Sequence, residues 1–221
     1  PIVVLTLADL LYTQGFGTRR LCAGLVQQGL VQIGGQTVTD PHHETEAVEG
    51  TPFVVQGQPW EYHAKAYIVL HKPTGTECSQ KPSAWPSIYT LLPPPLLTRG
   101  VQAVGRLDED TTGLLLFSDD GQFIHTYTSP KKKVTKVYDV TLKHPGDQLL
   151  VAALLAGVQL NDEPAPIAAS ACEILAERLL RLTTTEGKYH LVKRMIAAAG
   201  NRAEGLNRVA IGGLSLPPEL P

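Results

Sequence analysis

The sequence predicts an α+β fold. A larger segment carries a largely antiparallel mixed sheet, and a small α/β module precedes it. Three observations lead there. Strand-like and helix-like stretches mix without a regular βαβ rhythm. In "KVYDVTLKHP", Tyr138, Val140 and Leu142 alternate onto one face at a spacing of two. The charge balance changes at residue 62. Residues 1–62 hold two basic groups, Arg19 and Arg20, against six acids, whereas residues 63–221 hold seventeen against fifteen. The predicted division, 1–62 and 63–221, falls at the polar, proline-containing connection that ends "TPFVVQGQPWEYH".

In chain order, Leu7, Leu10, Leu11, Leu21, Leu25 and Val26 recur at helical spacing. "GFGTRR" reads as a turn and a helix start, with Thr18 as N-cap. "LVQIGGQTVTD" reads as a hairpin around Gly34-Gly35. "TPFVVQGQPWEYH" predicts one strand and then a polar, proline-containing connection. A strand over 66–70 stops at Lys72-Pro73-Thr74-Gly75, and residues 79–99 hold five prolines and predict an irregular excursion. Strands follow at 101–104 and 114–118, then a helix over 148–157. "RLLRLTTTEGKYHLVKRMIAAAGN" predicts a strand, a glycine turn and a helix closed by Gly200-Asn201.

Composition excludes several classes. With 43% apolar and 18% charged residues, the chain has the makeup of a soluble globular protein. No apolar run approaches the roughly 20 residues of a bilayer span, so no membrane association is expected. The apolar N-terminal stretch lacks a basic leader and a small-residue cleavage site, so a signal peptide is not predicted. Cys22, Cys78 and Cys172 are odd in number, far apart and form no CxxC, which argues against a zinc site or a disulfide framework and for a reducing cytoplasm. The net charge of −2 hides a cluster, Lys131, Lys132, Lys133 and Lys136, able to hold phosphates.

The chemistry centres on "AVGRLDEDTTGLLLFSDDG", residues 103–121. Asp108, Glu109 and Asp110 stand between two apolar stretches, where carboxylates are costly to bury unless charges or hydrogen bonds compensate. Asp108, Asp110, Thr112, Gly113 and Asp119 imitate a calcium loop. However, Leu116 replaces a ligand and the entry is strand-like, so no metal is predicted. "DTTG" has one residue too many for an aspartic protease, and no second copy exists. Asp108 is then either a turn cap or a reactive carboxylate. The second reading gains from company: Arg106 lies two residues earlier, and His190, Lys193 and Arg194 gather at a later helix start, where a cation would keep Asp108 ionised. Glu109 and Asp110 are expected to point elsewhere.

"VGRLDEDTTGLLLFSDDG" resembles the active-site motif of the RNA pseudouridine synthases. "KPTG" at 72–75, "TSPKKKVTKVY" at 128–138, "GVQL" at 157–160 and "EGKYHLVKRM" at 186–195 follow in that family's order. Together they resemble its RsuA branch, which modifies ribosomal RNA, over most of residues 65–212. Residues 1–62 resemble the S4-type RNA-binding module of that branch.

The resemblance implies that Asp108 is the catalytic aspartate. Tyr138 is the tyrosine that stacks on the target base and is a candidate for proton transfer. Lys193 is the cation paired with the aspartate, and Arg194 is its alternate. Met195 or Ile196 would supply an apolar floor. Arg106, Arg194, His190 and Lys72 would bind substrate. Lys131, Lys132, Lys133, Arg19 and Arg20 would contact RNA backbone. The implied reaction converts a uridine of ribosomal RNA, of the small-subunit 16S type, to pseudouridine. It uses no cofactor and acts on RNA or an assembly particle as a monomer. Leu191 stands where the family has glutamine, and the N-terminal module is acidic. A non-catalytic RNA-binding or ribosome-assembly protein and a large-subunit synthase are the alternatives.

Overall fold

The computed structural model describes residues 1–188 and 190–220. Two compact units emerge: residues 1–67, 89–102 and 118–120 form the first, and residues 68–88, 103–117 and 121–220 form the second.

The first unit begins with β1 (Val3–Thr6), α1 (Leu7–Thr13) and α2 (Arg19–Gln27). Thr6 Oγ1 accepts from Asp9 N at 3.1 Å and Thr18 Oγ1 from Leu21 N at 3.2 Å, so both helices start on a side-chain cap. The helical stripe predicted from the leucines faces inward except at Leu21, which is 61% exposed on the outer face of α2. Leu7, Leu10, Leu11, Cys22 and Val26 are fully buried against Val31, Phe53 and Val55. Strands β2 (Val31–Ile33) and β3 (Gln36–Thr37) form the predicted hairpin, with Gly34 and Gly35 both at positive φ. Strand β4 (Glu44–Ala47) pairs antiparallel with β1.

After β5 (Pro52–Val55) comes a correction. The expected polar connection is a strand, β6 (Gln58–Glu61), joined to β5 by a turn with Gln56 and Gly57 at positive φ. It lies at the edge of the order β3-β2-β5-β6, where the missing N–H of Pro59 breaks no inner ladder.

The proline excursion also contributes structure here. A 3₁₀ turn, Ile88–Leu91, precedes α3 (Pro94–Thr98), whose first turn is preset by its prolines. The buried Arg99 guanidinium then ties this segment down. It bonds Asp119 at 2.9 Å, Gln14 Oε1 at 3.1 Å and His63 O at 3.0 Å. A Cβ at Gly15 would fall 1.9 Å from Pro95 O, so no other residue fits there.

The second unit is built on one mixed sheet. Its strands are β7 (Tyr67–Lys72), β8 (Gln102–Val104), β9 (Thr111–Ser118), β10 (Lys136–Leu142), β11 (Ala171–Ala176), β12 (Leu179–Thr184), β13 (Ala203–Ile211) and β14 (Leu214–Ser215). The order is β11-β12-β10-β13-β9-β7, with β8 on β9 and β14 on β13. The strands from β11 through β13 pair antiparallel, and β13 pairs parallel with β9. The predicted α+β class with a largely antiparallel mixed sheet is the observed one.

Two strands differ from expectation. Strand β9 starts at Thr111, ahead of its apolar run, and the central β13 has no clear sequence signature. The two meet closely. A Cβ on Gly113 (φ +114°) would lie 2.2 Å from Arg208 O, so glycine alone permits this pairing.

Helices α4 (Gly121–Thr128), α5 (Gln148–Ala156) and α6 (Leu191–Ala198) complete the unit. Leu150 and Leu154 of α5 and Met195 and Ile196 of α6 pack with Val140, Leu142, Leu180 and Leu182 of the sheet. Ile196 is fully buried, so truncating it to alanine costs about 2–5 kcal/mol.

Candidate active site

The acidic turn sits between β8 and β9, and "KPTG" explains how three carboxylates can stand there. Lys72 is fully buried. Its Nζ donates to the carbonyls of Pro73 at 3.0 Å, Glu109 at 3.3 Å and Thr111 at 2.9 Å. Gly75 N donates to Glu109 O at 2.7 Å, and Thr111 N closes the turn on Asp108 O at 3.0 Å. The backbone of the turn is thus pinned from below, which frees its carboxylates to face the other way. Burial pulls the Lys72 ammonium below its ordinary value, and the charges of Cys78 and the three acids partly oppose this. Lys72, expected to bind substrate, is instead the internal support of the turn, because its ammonium is spent on carbonyls.

Asp108 is partly exposed, at 26% of its side chain. His190 Nε2 lies 3.2 Å from its Oδ1 and Lys193 Nζ 3.6 Å from its Oδ2. Both partners come from α6. His190 occupies its N-cap in a left-handed conformation, and Lys193 lies within its first turn. The expected convergence of Asp108, His190 and Lys193 is therefore present.

Asp110 requires a correction. It does not point elsewhere but holds Lys193 Nζ at 2.6 Å, closer than Asp108 does. Burial pulls the Lys193 ammonium down, but the Asp110 hydrogen bond and the charges of Asp110 and Asp108 outweigh it and raise its pKa. The Lys193 hydrogen bond in turn lowers the Asp110 carboxyl, against some desolvation. Lys193 therefore stays charged beside Asp108.

Arg194 is also corrected. Its guanidinium pairs with Asp162, because its place on α6 carries it away from Asp108, and it is absent from the cavity lining. Met195 and Ile196 lie at 0% exposure inside the core, since α6 turns them toward the sheet. The cavity's apolar wall comes instead from Leu191, Val192 and Leu206.

Asp108, His190, Arg106 and Tyr138 line the same cavity, of about 610 Å³, whereas Lys193 stands beside Asp108 and outside the lining. Tyr138 lies on β10 opposite Leu182 on one side and Arg208 on the other. Arg106 is exposed at the rim. Lys131, Lys132 and Lys133 are exposed around a short 3₁₀ turn before β10. In the first unit, Arg19 and Arg20 are exposed at the start of α2. Arg19 bonds Asp9 at 2.6 Å and stacks on Tyr12 at 4.2 Å.

Two cavity residues lay outside the sequence reading of the site. Lys136, known there only as part of the lysine run, is half-buried. Its pKa is lowered by burial and then by the Arg208 charge, with Glu186 opposing. Arg208 is 2% exposed. The period-two alternation that marked Tyr138 could have placed Lys136 on the same face, but nothing in "GLNRVAI" marks Arg208 as inward. Among the described residues, no group of three or more His, Cys, Asp or Glu side chains could hold a metal.

Comparison with known proteins gives the same picture. The model of the RNA pseudouridylate synthase family matches residues 66–198, and that of the S4 domain matches residues 5–45. The ribosomal small subunit pseudouridine synthase A of Haemophilus influenzae is 37% identical over 203 residues, covering 92% of this chain and 87% of the relative. That of Escherichia coli K12 is 36% identical over 219 residues, covering 96% and 91%. A crystal structure of a pseudouridylate synthase superposes with a TM-score of 0.67 at 35% identity, covering 98% of this chain and 93% of that one. The chain belongs to the RNA pseudouridylate synthase family.

Proposed function

We propose that this protein isomerises a uridine of small-subunit ribosomal RNA to pseudouridine, on the RNA itself or on an assembly particle. The observation that carries the proposal is Asp108 in a cavity, with His190 at 3.2 Å and Lys193 at 3.6 Å. The likeness to small-subunit synthases across nearly the whole chain supports the choice of RNA.

The reaction breaks the C1′–N1 bond, turns the base, joins C5 to C1′, releases the C5 proton and protonates N1. Atoms and charge balance without a redox partner. The charged Lys193 lies beside Asp108, whose carboxylate attacks the sugar or takes a proton from it. Tyr138 offers a face on which a detached base can turn without one fixed orientation. The uridine must leave its stack to reach the cavity, and Arg106 at the rim fills the gap or holds a phosphate. Residues 63–221 form the catalytic part, with Lys131, Lys132 and Lys133 along the RNA backbone. Residues 1–62 form the S4-type module, contacting RNA through Arg19 and Arg20. The protein works as a monomer in the cytoplasm, and no helix of the described residues is long and apolar enough to cross a membrane.

The test uses small-subunit and large-subunit ribosomal RNA transcripts labelled with tritium at uracil C5, each free and in a partial particle. Release of tritium to water from the small-subunit substrate, with pseudouridine mapped at one position, is expected. Release from neither RNA, or only from the large-subunit one, contradicts the proposal.

A further inference from the structure

Among the described residues, three buried side-chain polar atoms lack a hydrogen-bond partner, and two of them belong to residues lining the Asp108 cavity: Thr111 Oγ1 and Arg208 Nη2. The residues are 1% and 2% exposed. Each such atom carries an uncompensated desolvation cost, so a pair at one cavity calls for a cause. The backbone locks both in place. Arg208 Nε donates to Leu114 O at 3.0 Å, and Lys72 holds Thr111 O at 2.9 Å. Arg208 is the β13 partner of Tyr138, and Thr111 is the β9 partner of Leu206, which also lines the cavity. The two orphaned groups therefore lie on adjacent strands beside the tyrosine. Lys136, two residues from Tyr138 on β10, adds a second half-buried cation to the same lining.

A ligand that satisfies both must offer an acceptor to Arg208 and a partner to a neutral hydroxyl. Uracil has two carbonyl oxygens flanking the N3–H. A backbone phosphate offers acceptors only, and it would bring a second anion beside Asp108. Resting on the function proposed above, we infer that Arg208 and Thr111 read the polar edge of the flipped uracil. Arg208 Nη2 donates to a carbonyl oxygen, and Thr111 Oγ1 accepts from N3–H. The pairing also bears on rate. When the C1′–N1 bond breaks, its electron pair leaves with the base, and the charge spreads onto the carbonyl oxygens. A buried guanidinium with Lys136 nearby then binds the detached base more strongly than the intact nucleotide.

The test compares wild type, Thr111→Val and Arg208→Gln as full chains. Valine keeps the shape and removes an unpaired buried hydroxyl. Thr111→Val should therefore melt about 2–4 °C higher while its kcat for tritium release falls roughly 10-fold at unchanged KM. Arg208→Gln should lose about 100-fold in kcat. Free uracil should raise the melting temperature of wild type more than that of Thr111→Val, and inorganic phosphate should not. Wild-type turnover by Thr111→Val, a lower melting temperature for it, or stabilisation by phosphate in place of uracil would overturn the assignment. Absence of turnover in wild type would refute the proposed function instead. The uracil melting shift then still decides whether the two residues bind the base.

Discussion

Replacing Lys72 by methionine separates a supporting role from a substrate contact. The ammonium makes three bonds to carbonyl oxygens at 2.9–3.3 Å, two of them on the acidic turn itself. Hydrogen bonds from a charged group contribute about 1.5–3 kcal/mol each. Burial of the ammonium, which lowers its pKa, offsets part of that sum. A net loss of about 3 kcal/mol results, or roughly 6–12 °C in Tm for a chain of this size. A turn released by about 1 Å moves Asp108 relative to the base and costs on the order of 100-fold in kcat. Thermal melts followed by circular dichroism, with tritium-release kinetics on the same preparations, read both effects. A Lys72→Met variant with unchanged Tm and a raised KM would show that Lys72 touches substrate after all.

Asp110→Asn should shift the alkaline limb of the activity profile to lower pH, because it removes the hydrogen bond and charge that hold the Lys193 pKa up. In wild type, the pair's contribution to stability is complete between the ordinary carboxylate and lysine values. It fades as pH falls through the lowered Asp110 pKa and as it rises through the raised Lys193 pKa, so melts of Asp110→Asn should lose both edges. Neutralising Lys131, Lys132 and Lys133 together should flatten the dependence of log K on log salt by about 2–3 units, seen by filter binding, with kcat at saturation retained. Tyr138→Phe keeps the stacking face, so kcat near wild type would leave Tyr138 as a platform alone, and a loss of about 100-fold would assign it a proton.

Much of this molecule is readable from local chemistry. The caps at Thr18 and the Gly34-Gly35 hairpin follow from turn and capping rules that need no tertiary context. Strand β6 escapes them because Pro59 is acceptable only at an edge, and edge position is a property of the assembled sheet. Strand β13 escapes for a related reason. Its close approach to β9, which only a glycine at 113 permits opposite Arg208, is a property of the assembled sheet. In the site, residue type pointed to Asp108 with Arg106, His190, Lys193 and Arg194 as candidate cations, because an acid between apolar runs demands one, and the family resemblance singled out Lys193. Residue type does not reveal direction. Lys72 and Asp110 both lie within known motifs, but only the fold turns the first inward and the second toward Lys193. Arg208 carries no local signal at all, since its burial depends on β9 and β10 lying on either side of it.

Asp108 is where the fold, the ion pairs and the reaction meet. Asp108→Asn keeps the side-chain shape and removes the charge. The decisive measurement is pseudouridine formed in the small-subunit transcript by this variant, beside a thermal melt. The expected result is a Tm close to wild type with no tritium released above background. A folded Asp108→Asn protein that turns over like wild type would mean that the carboxylate is not the reacting group.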